Sequence, residues 1–141
     1  MKNAFREGIP SLSHRSKKFG TIYKDTVEGL RELLAVPAAY QMYFTGSATE
    51  IWERSIQNLV KKNSFHLVNG SFSKRYFEIA QQLNKDPGKC EVSAGLGFDT
   101  VPSIPSEAEL IAVTQNETST GVCTPLHIIR DIKRTNPSAL L

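Results

Sequence analysis

Three short stretches hold the residue types from which a binding site could be built. The first is Thr45-Gly46-Ser47-Ala48-Thr49-Glu50. Its small residues let an anion approach the backbone, and the hydroxyls of Ser47 and Thr49 add donors. Ser47 followed three places later by Glu50 is a capping-box signature. It predicts a helix start whose free backbone N–H groups can seat a phosphate. The second stretch, Asn69-Gly70-Ser71-Phe72, is a polar turn ending in an aromatic ring that could stack on a flat ligand. The third, Asn116-Glu117-Thr118-Ser119-Thr120-Gly121, offers amides and hydroxyls for ring substituents. Together they suit a flat, phosphorylated, aromatic ligand. Each also has a plainer reading. The first could be only a well-capped strand-to-helix turn. Phe72 could be a core ring at helical spacing from Tyr76, and Asn116 and Thr118 could cap a turn.

The surrounding pattern explains how such loops would be positioned. The apolar run Tyr40–Phe44 reads as a buried strand leading into Gly46, and Ile51, Trp52, Ile56, Leu59 and Val60 continue it as a helix to about Lys62. Ser64–Val68 reads as a strand ended by Asn69-Gly70, with a helix carrying Phe72, Tyr76, Phe77, Ala80 and Leu83 after it. Asp86-Pro87-Gly88 reads as a turn, Cys90–Ser93 as a weak strand and residues 95–105 as a loop. Glu109–Thr114 is an apolar strand, and Thr124-Pro125 opens a last helix with proline at its first position. Alternating strands and helices imply an α/β three-layer sandwich around a mainly parallel sheet. In such sheets ligands bind beyond the carboxyl ends of the strands, where all three stretches fall. Ser138–Leu141 looks like the first half of a further strand, so the chain is expected to be cut there.

Upstream, residues 1–13 read as an irregular segment broken by Gly8 and Pro10. Ser13 then caps a long amphipathic helix carrying Phe19, Ile22, Tyr23, Val27, Leu30, Leu33 and Leu34, stopped by Pro37. Arg15 at such a helix start opposes the dipole, which points to a task such as holding a carboxylate or phosphate; the plain alternative is a solvated arginine. His66 and His127 read as structural or surface residues.

Composition narrows the class. With 141 residues, 40% hydrophobic and 22% charged, the chain has one globular domain's worth of material. A net charge of +3 without a dense Lys/Arg run does not indicate nucleic-acid binding. Cys90 and Cys123 are too far apart, and too isolated from histidine, for a zinc site or a disulfide scaffold. No apolar stretch is long enough to span a membrane, and Met1–Glu7 lacks a signal-peptide core. A cytoplasmic protein is the expectation.

The segments Ser13-His14-Arg15-Ser16, Thr45-Gly46-Ser47-Ala48-Thr49, Asn69-Gly70-Ser71-Phe72 and Asn116-Glu117-Thr118-Ser119-Thr120-Gly121-Val122 resemble, in order and spacing, those of class V aminotransferases. The likeness runs from about residue 10 onward and is nearest to the phosphoserine-type subgroup. It implies a fold-type I enzyme dependent on pyridoxal 5'-phosphate that exchanges an amino group between glutamate and a phosphorylated 2-oxo acid, in serine biosynthesis. By the same resemblance Ser47, Ala48 and Thr49 hold the cofactor phosphate, Phe72 stacks on its ring, and Thr118 contacts the ring near its hydroxyl. His14 and Arg15 resemble residues that hold the substrate phosphate in a neighbouring subunit's active site, which implies a homodimer. Residues 14–141 would then be part of the large domain, stopping before the aspartate of the next strand and the lysine that forms the Schiff base. Such a piece is expected to be inactive alone. The alternatives are an alanine–glyoxylate or serine–pyruvate type aminotransferase, or a non-catalytic α/β ligand-binding module.

Overall fold

The computed structural model of the chain describes residues 2–141. The chain divides into two compact units, Met1–Phe44 and Thr45–Leu141.

The first unit is helical. A short helix α1 (Lys2–Arg6) and a 3-10 turn (Ile9–Ser11) occupy the segment expected to be irregular. The long helix α2 spans Lys17–Leu33, and its N-cap is Ser16, whose hydroxyl accepts the Phe19 amide at 3.1 Å. Ser13 instead closes a turn by accepting the Arg15 amide at 3.3 Å. His14 and Arg15 therefore precede the helix rather than start it, and the dipole argument for Arg15 loses its geometry. Helix α2 ends when Ala35 takes a left-handed φ of 49°, before Pro37 is reached.

Residues 40–44 form no strand. The Arg31 guanidinium donates to the carbonyls of Val36, Pro37 and Tyr40, and the Tyr23 hydroxyl donates to that of Met42. Phe44 meets Tyr23 edge to face at 5.6 Å. Carbonyls taken by side chains of α2 are not offered to a sheet. The apolar run folds back on the helix, with Tyr40 and Tyr43 exposed.

The second unit is an α/β sandwich. Helix α3 (Ala48–Leu59) leads into β1 (Asn63–Val68), then α4 (Ser71–Gln82) and β2 (Asp86–Glu91). After a long loop come β3 (Leu110–Ala112), a small ribbon of β4 (Asn116–Glu117) and β5 (Val122–Cys123), and α5 (Leu126–Thr135). The sheet order is β2-β1-β3, all parallel, with β1 in the middle and buried along nearly its whole length. Beyond β3, Leu140 makes a parallel bridge to Leu110.

Asp86-Pro87-Gly88 is strand, not turn. Proline is tolerated near the start of an edge strand, where no inner neighbour needs its missing N–H. Gly88 lies against the Phe65 ring, and a Cβ there would come within 2.9 Å of Cδ2. Helix α5 starts one residue later than expected, with Pro125 at the cap.

Alternation along the strands divides the core. Phe65, Leu67 and Ile111 pack with Phe98, Ala108, Ile128 and Ile132 on one face. Leu110 and Ala112 pack with Ile56, Val60 and Ala80 on the other. Helices α3 and α4 cover the second face; α5 and the loop between β2 and β3 cover the first. That is the three-layer arrangement expected of a parallel sheet.

The fully buried Ile56 anchors α3. Ile56→Ala is expected to lower the unfolding free energy of this unit by about 2–5 kcal/mol in urea denaturation. Leu33→Ala on α2, where the side chain is 77% exposed, should change stability by less than about 0.5 kcal/mol.

Candidate functional site

The carboxyl edge of the sheet gathers the first turns of α3 and α4 and the β4–β5 ribbon. Helix α3 feeds β1 at its amino end, so α3 begins at the carboxyl edge. Its N-cap is Ser47, whose hydroxyl accepts the Glu50 amide at 3.2 Å, while the Glu50 carboxylate accepts the Gly46 amide at 3.1 Å. The reciprocal bond reaches Gly46 rather than Ser47, one residue further back than in the standard box. The amides of Ala48 and Thr49 belong to the first turn and have no intrahelical acceptor.

Helix α4 begins differently. Glu117, from β4, has no exposure to water. Its Oε2 accepts the Ser73 amide at 2.8 Å and the Ser73 hydroxyl at 2.9 Å, and its Oε1 accepts the Phe72 amide at 3.3 Å. Ser119 adds its amide and hydroxyl to Oε1. A carboxylate at a helix N-terminus is favoured by the dipole and by charge-assisted hydrogen bonds. Burial pushes the Glu117 carboxyl up, but the bonds from Ser119, Ser73 and Phe72 outweigh it and hold it below the usual carboxylate value. Gly70 makes the fit possible: a Cβ there would lie 2.4 Å from Glu117 Cγ. The Ser73 hydroxyl also accepts the amides of Asn69 and Gly70. Thr120 donates to the Asn69 and Glu117 carbonyls, and Gly121 at φ 73° closes the ribbon.

Phe72 is 45% exposed, so it is not the core ring its spacing allowed. It meets Trp52 of α3 at 6.5 Å, and Trp52 stacks on Tyr76 at 5.4 Å with planes 14° apart. Tyr76 shares a 2.6 Å hydrogen bond with Ser55 and stands edge-on to His66 at 5.1 Å. The exposed ring is thus the outer end of an aromatic series running into the core.

The structure links these segments but does not enclose them in one cavity. Phe72 touches the helix that Ser47 caps, and its amide is held by the residue preceding Thr118. Thr118 itself lines a shallow hollow of about 130 Å³ with Asn116, Gly121 and Val122. Thr49 lines another, of about 190 Å³, with Glu53 and Arg75 between α3 and α4. His14 and Arg15 belong to the other unit. Two residues escaped sequence reasoning. Glu117 stood in the polar loop without a role, because its partners Phe72 and Ser73 lie 45 and 44 residues away in the chain. Trp52 was read as part of an apolar face rather than as the support behind Phe72.

No family model matches the chain. The chain is 31% identical over 115 residues, 81% of its length, to the phosphoserine aminotransferase of Rhodococcus opacus, and covers 31% of that protein. It is 32% identical over 124 residues to that of Streptococcus thermophilus, with 80% of this chain and 34% of the relative covered. The chain thus spans about a third of the length of the curated relatives it matches. Among solved structures, a phosphoserine aminotransferase from Cytophaga hutchinsonii matches 98% of the chain at 48% identity with a TM-score of 0.90; 38% of that protein is covered. An alanine–glyoxylate aminotransferase from Nostoc sp. matches 92% of the chain and 36% of its own at 21% identity and a TM-score of 0.73, a likeness of fold.

His66 supplies a pH signature at this site's base. It is 1% exposed, its Nε2 meets the Ser64 hydroxyl at 2.9 Å, and its Nδ1 has no partner. Burial lowers its pKa from 6.5 to about 4. Between those values the unfolded chain binds more protons, so stability rises with pH. The contribution is complete above the unfolded value and is lost as pH falls through the folded one. It amounts to about 3 kcal/mol at most. Unfolding free energies measured from pH 7 to pH 4 should fall less steeply in His66→Leu than in the unaltered chain.

Proposed function

We propose, from the premise that this chain is a homologue of the phosphoserine aminotransferases, that it forms the cofactor-gripping part of an enzyme that moves an amino group between glutamate and a phosphorylated 2-oxo acid. Residues 14–141 are then part of that enzyme's large domain. The observation that carries this reading is the 48% identity to the Cytophaga protein over 98% of the chain. The alanine–glyoxylate alternative has only a likeness of fold behind it. With phosphoserine as substrate the proposed reaction belongs to serine biosynthesis, and a cytoplasmic enzyme is proposed with it.

The residues present fit pyridoxal 5'-phosphate. Its phosphate needs several donors. The first turn of α3 supplies the free amides of Ala48 and Thr49 with the hydroxyls of Ser47 and Thr49 beside them. The first turn of α4 is already filled by Glu117. Phe72 presents a ring face at the same edge, braced from behind by Trp52. When bound, the cofactor supplies an electron sink for negative charge at the substrate α-carbon. The chain's own contribution is orientation. Ser47, Ala48 and Thr49 bind the phosphate, Phe72 covers the ring and keeps water from it, and the Thr118 hydroxyl bonds the ring near its own hydroxyl. His14 and Arg15 hold the substrate's phosphate from the neighbouring subunit of a homodimer. A guanidinium suits that task because its planar fork matches phosphate oxygens in pairs.

The assignment of substrate rests on Arg15. In the enzyme that carries this chain, Arg15→Ala is expected to raise KM for phosphoserine at least about tenfold, as loss of a charge-assisted bond does, with little change in KM for glutamate. Steady-state kinetics with each amino donor decide the matter. An equal rise for both removes phosphate recognition from Arg15 and the substrate class with it.

A further inference from the structure

We infer that Glu117 is the positioning residue of this edge: its buried carboxylate joins the first turn of α4 to the 118–121 loop, so that Phe72 and Thr118 are held at one spacing. The inference rests on the cofactor reading above and adds what sets the geometry of that site.

Two observations carry it. First, the carboxylate bonds both sides of the seam. Phe72 and Ser73 donate their amides from α4, and Ser119 donates its amide and hydroxyl from the loop. The residues proposed to meet the ring, Phe72 and Thr118, are each within one position of these contacts, so neither can shift without breaking a bond to a buried charge. Second, the packing around Glu117 leaves no slack. A Cβ on Gly70 would lie 2.6 Å from its Cδ and 2.7 Å from Ser119 Oγ.

The test titrates the enzyme that carries this chain, freed of its cofactor, by calorimetry with pyridoxamine 5'-phosphate, which has no aldehyde to label surface lysines, and separately with inorganic phosphate. Glu117→Gln keeps the side chain's shape but turns an N–H₂ group toward donors. It is expected to weaken pyridoxamine 5'-phosphate about tenfold and leave inorganic phosphate within about twofold, since the seat on α3 is untouched. Amide exchange at Phe72 and Ser73 should accelerate in the same variant. Failure of the unaltered enzyme to bind pyridoxamine 5'-phosphate overturns the cofactor reading itself. Binding by the unaltered enzyme with no loss in Glu117→Gln overturns the positioning role alone, as does an equal loss for both ligands. If Glu117→Gln does not fold, Ser119→Ala is read in the same way. It removes one hydroxyl donor from the loop side and should weaken pyridoxamine 5'-phosphate about threefold; no change there overturns the inference.

Discussion

A carboxylate shut away from water at the start of α4 is the constraint on which the carboxyl edge of the sheet depends. Burying a charge without partners costs far more than most single interactions return. Glu117 is tolerated because each lone-pair direction meets a donor, and those donors come from two separate stretches of chain. The requirement passes outward. Gly70 must lack a Cβ, Ser73 and Ser119 must bring hydroxyls, and the ribbon must place residue 117 directly beneath the helix. Details that look independent in the chain are consequences of one group's need to stay solvated by protein.

The opposite end of β3 uses the same device. The Glu109 carboxylate accepts the amides of Lys61, Lys62 and Asn63, where the chain passes from α3 into β1. Those bonds hold its carboxyl below the usual value, the Asn63 amide contributing most. The short strand β3 is therefore fastened at both ends by acids gripping backbone N–H groups of neighbouring segments. A three-residue strand has few ladder bonds of its own. The two acids supply the register that a longer strand would obtain from pairing, and they fix where β3 delivers the ribbon that carries Thr118.

This division of labour explains what could be read from the chain in advance. Helices α3, α4 and α5 and the strands β1 and β3 follow from apolar periodicity, because their faces are buried in the way that periodicity assumes. The cap at Ser47 was legible because capping is local chemistry. The Tyr40–Phe44 run misled because its aromatic rings are exposed and the carbonyls of Tyr40 and Met42 are taken by Arg31 and Tyr23, nine and 19 residues away. Asp86-Pro87-Gly88 misled because turn residues can also serve an edge strand, and what selects the strand is the Phe65 ring packed over Gly88. Glu117 was visible but mute. Its partners Phe72 and Ser73 lie 45 and 44 residues away, and no local pattern records a contact of that range.

The exposed ring at the edge shows how buried chemistry sets a surface. A half-exposed phenylalanine on a loop would sample several rotamers and present no defined face to a ligand. Here Phe72 is constrained from two directions. Its amide is held by Glu117, and its ring rests against Trp52, which is stacked on Tyr76. Tyr76 is held in turn by Ser55 and by the edge of His66, a residue kept neutral by its burial. Each contact in that series is worth roughly 0.5–1.5 kcal/mol, too little to order a ring alone. In series, between a buried carboxylate and a buried imidazole, they leave Phe72 one place to stand, against the helix that Ser47 caps.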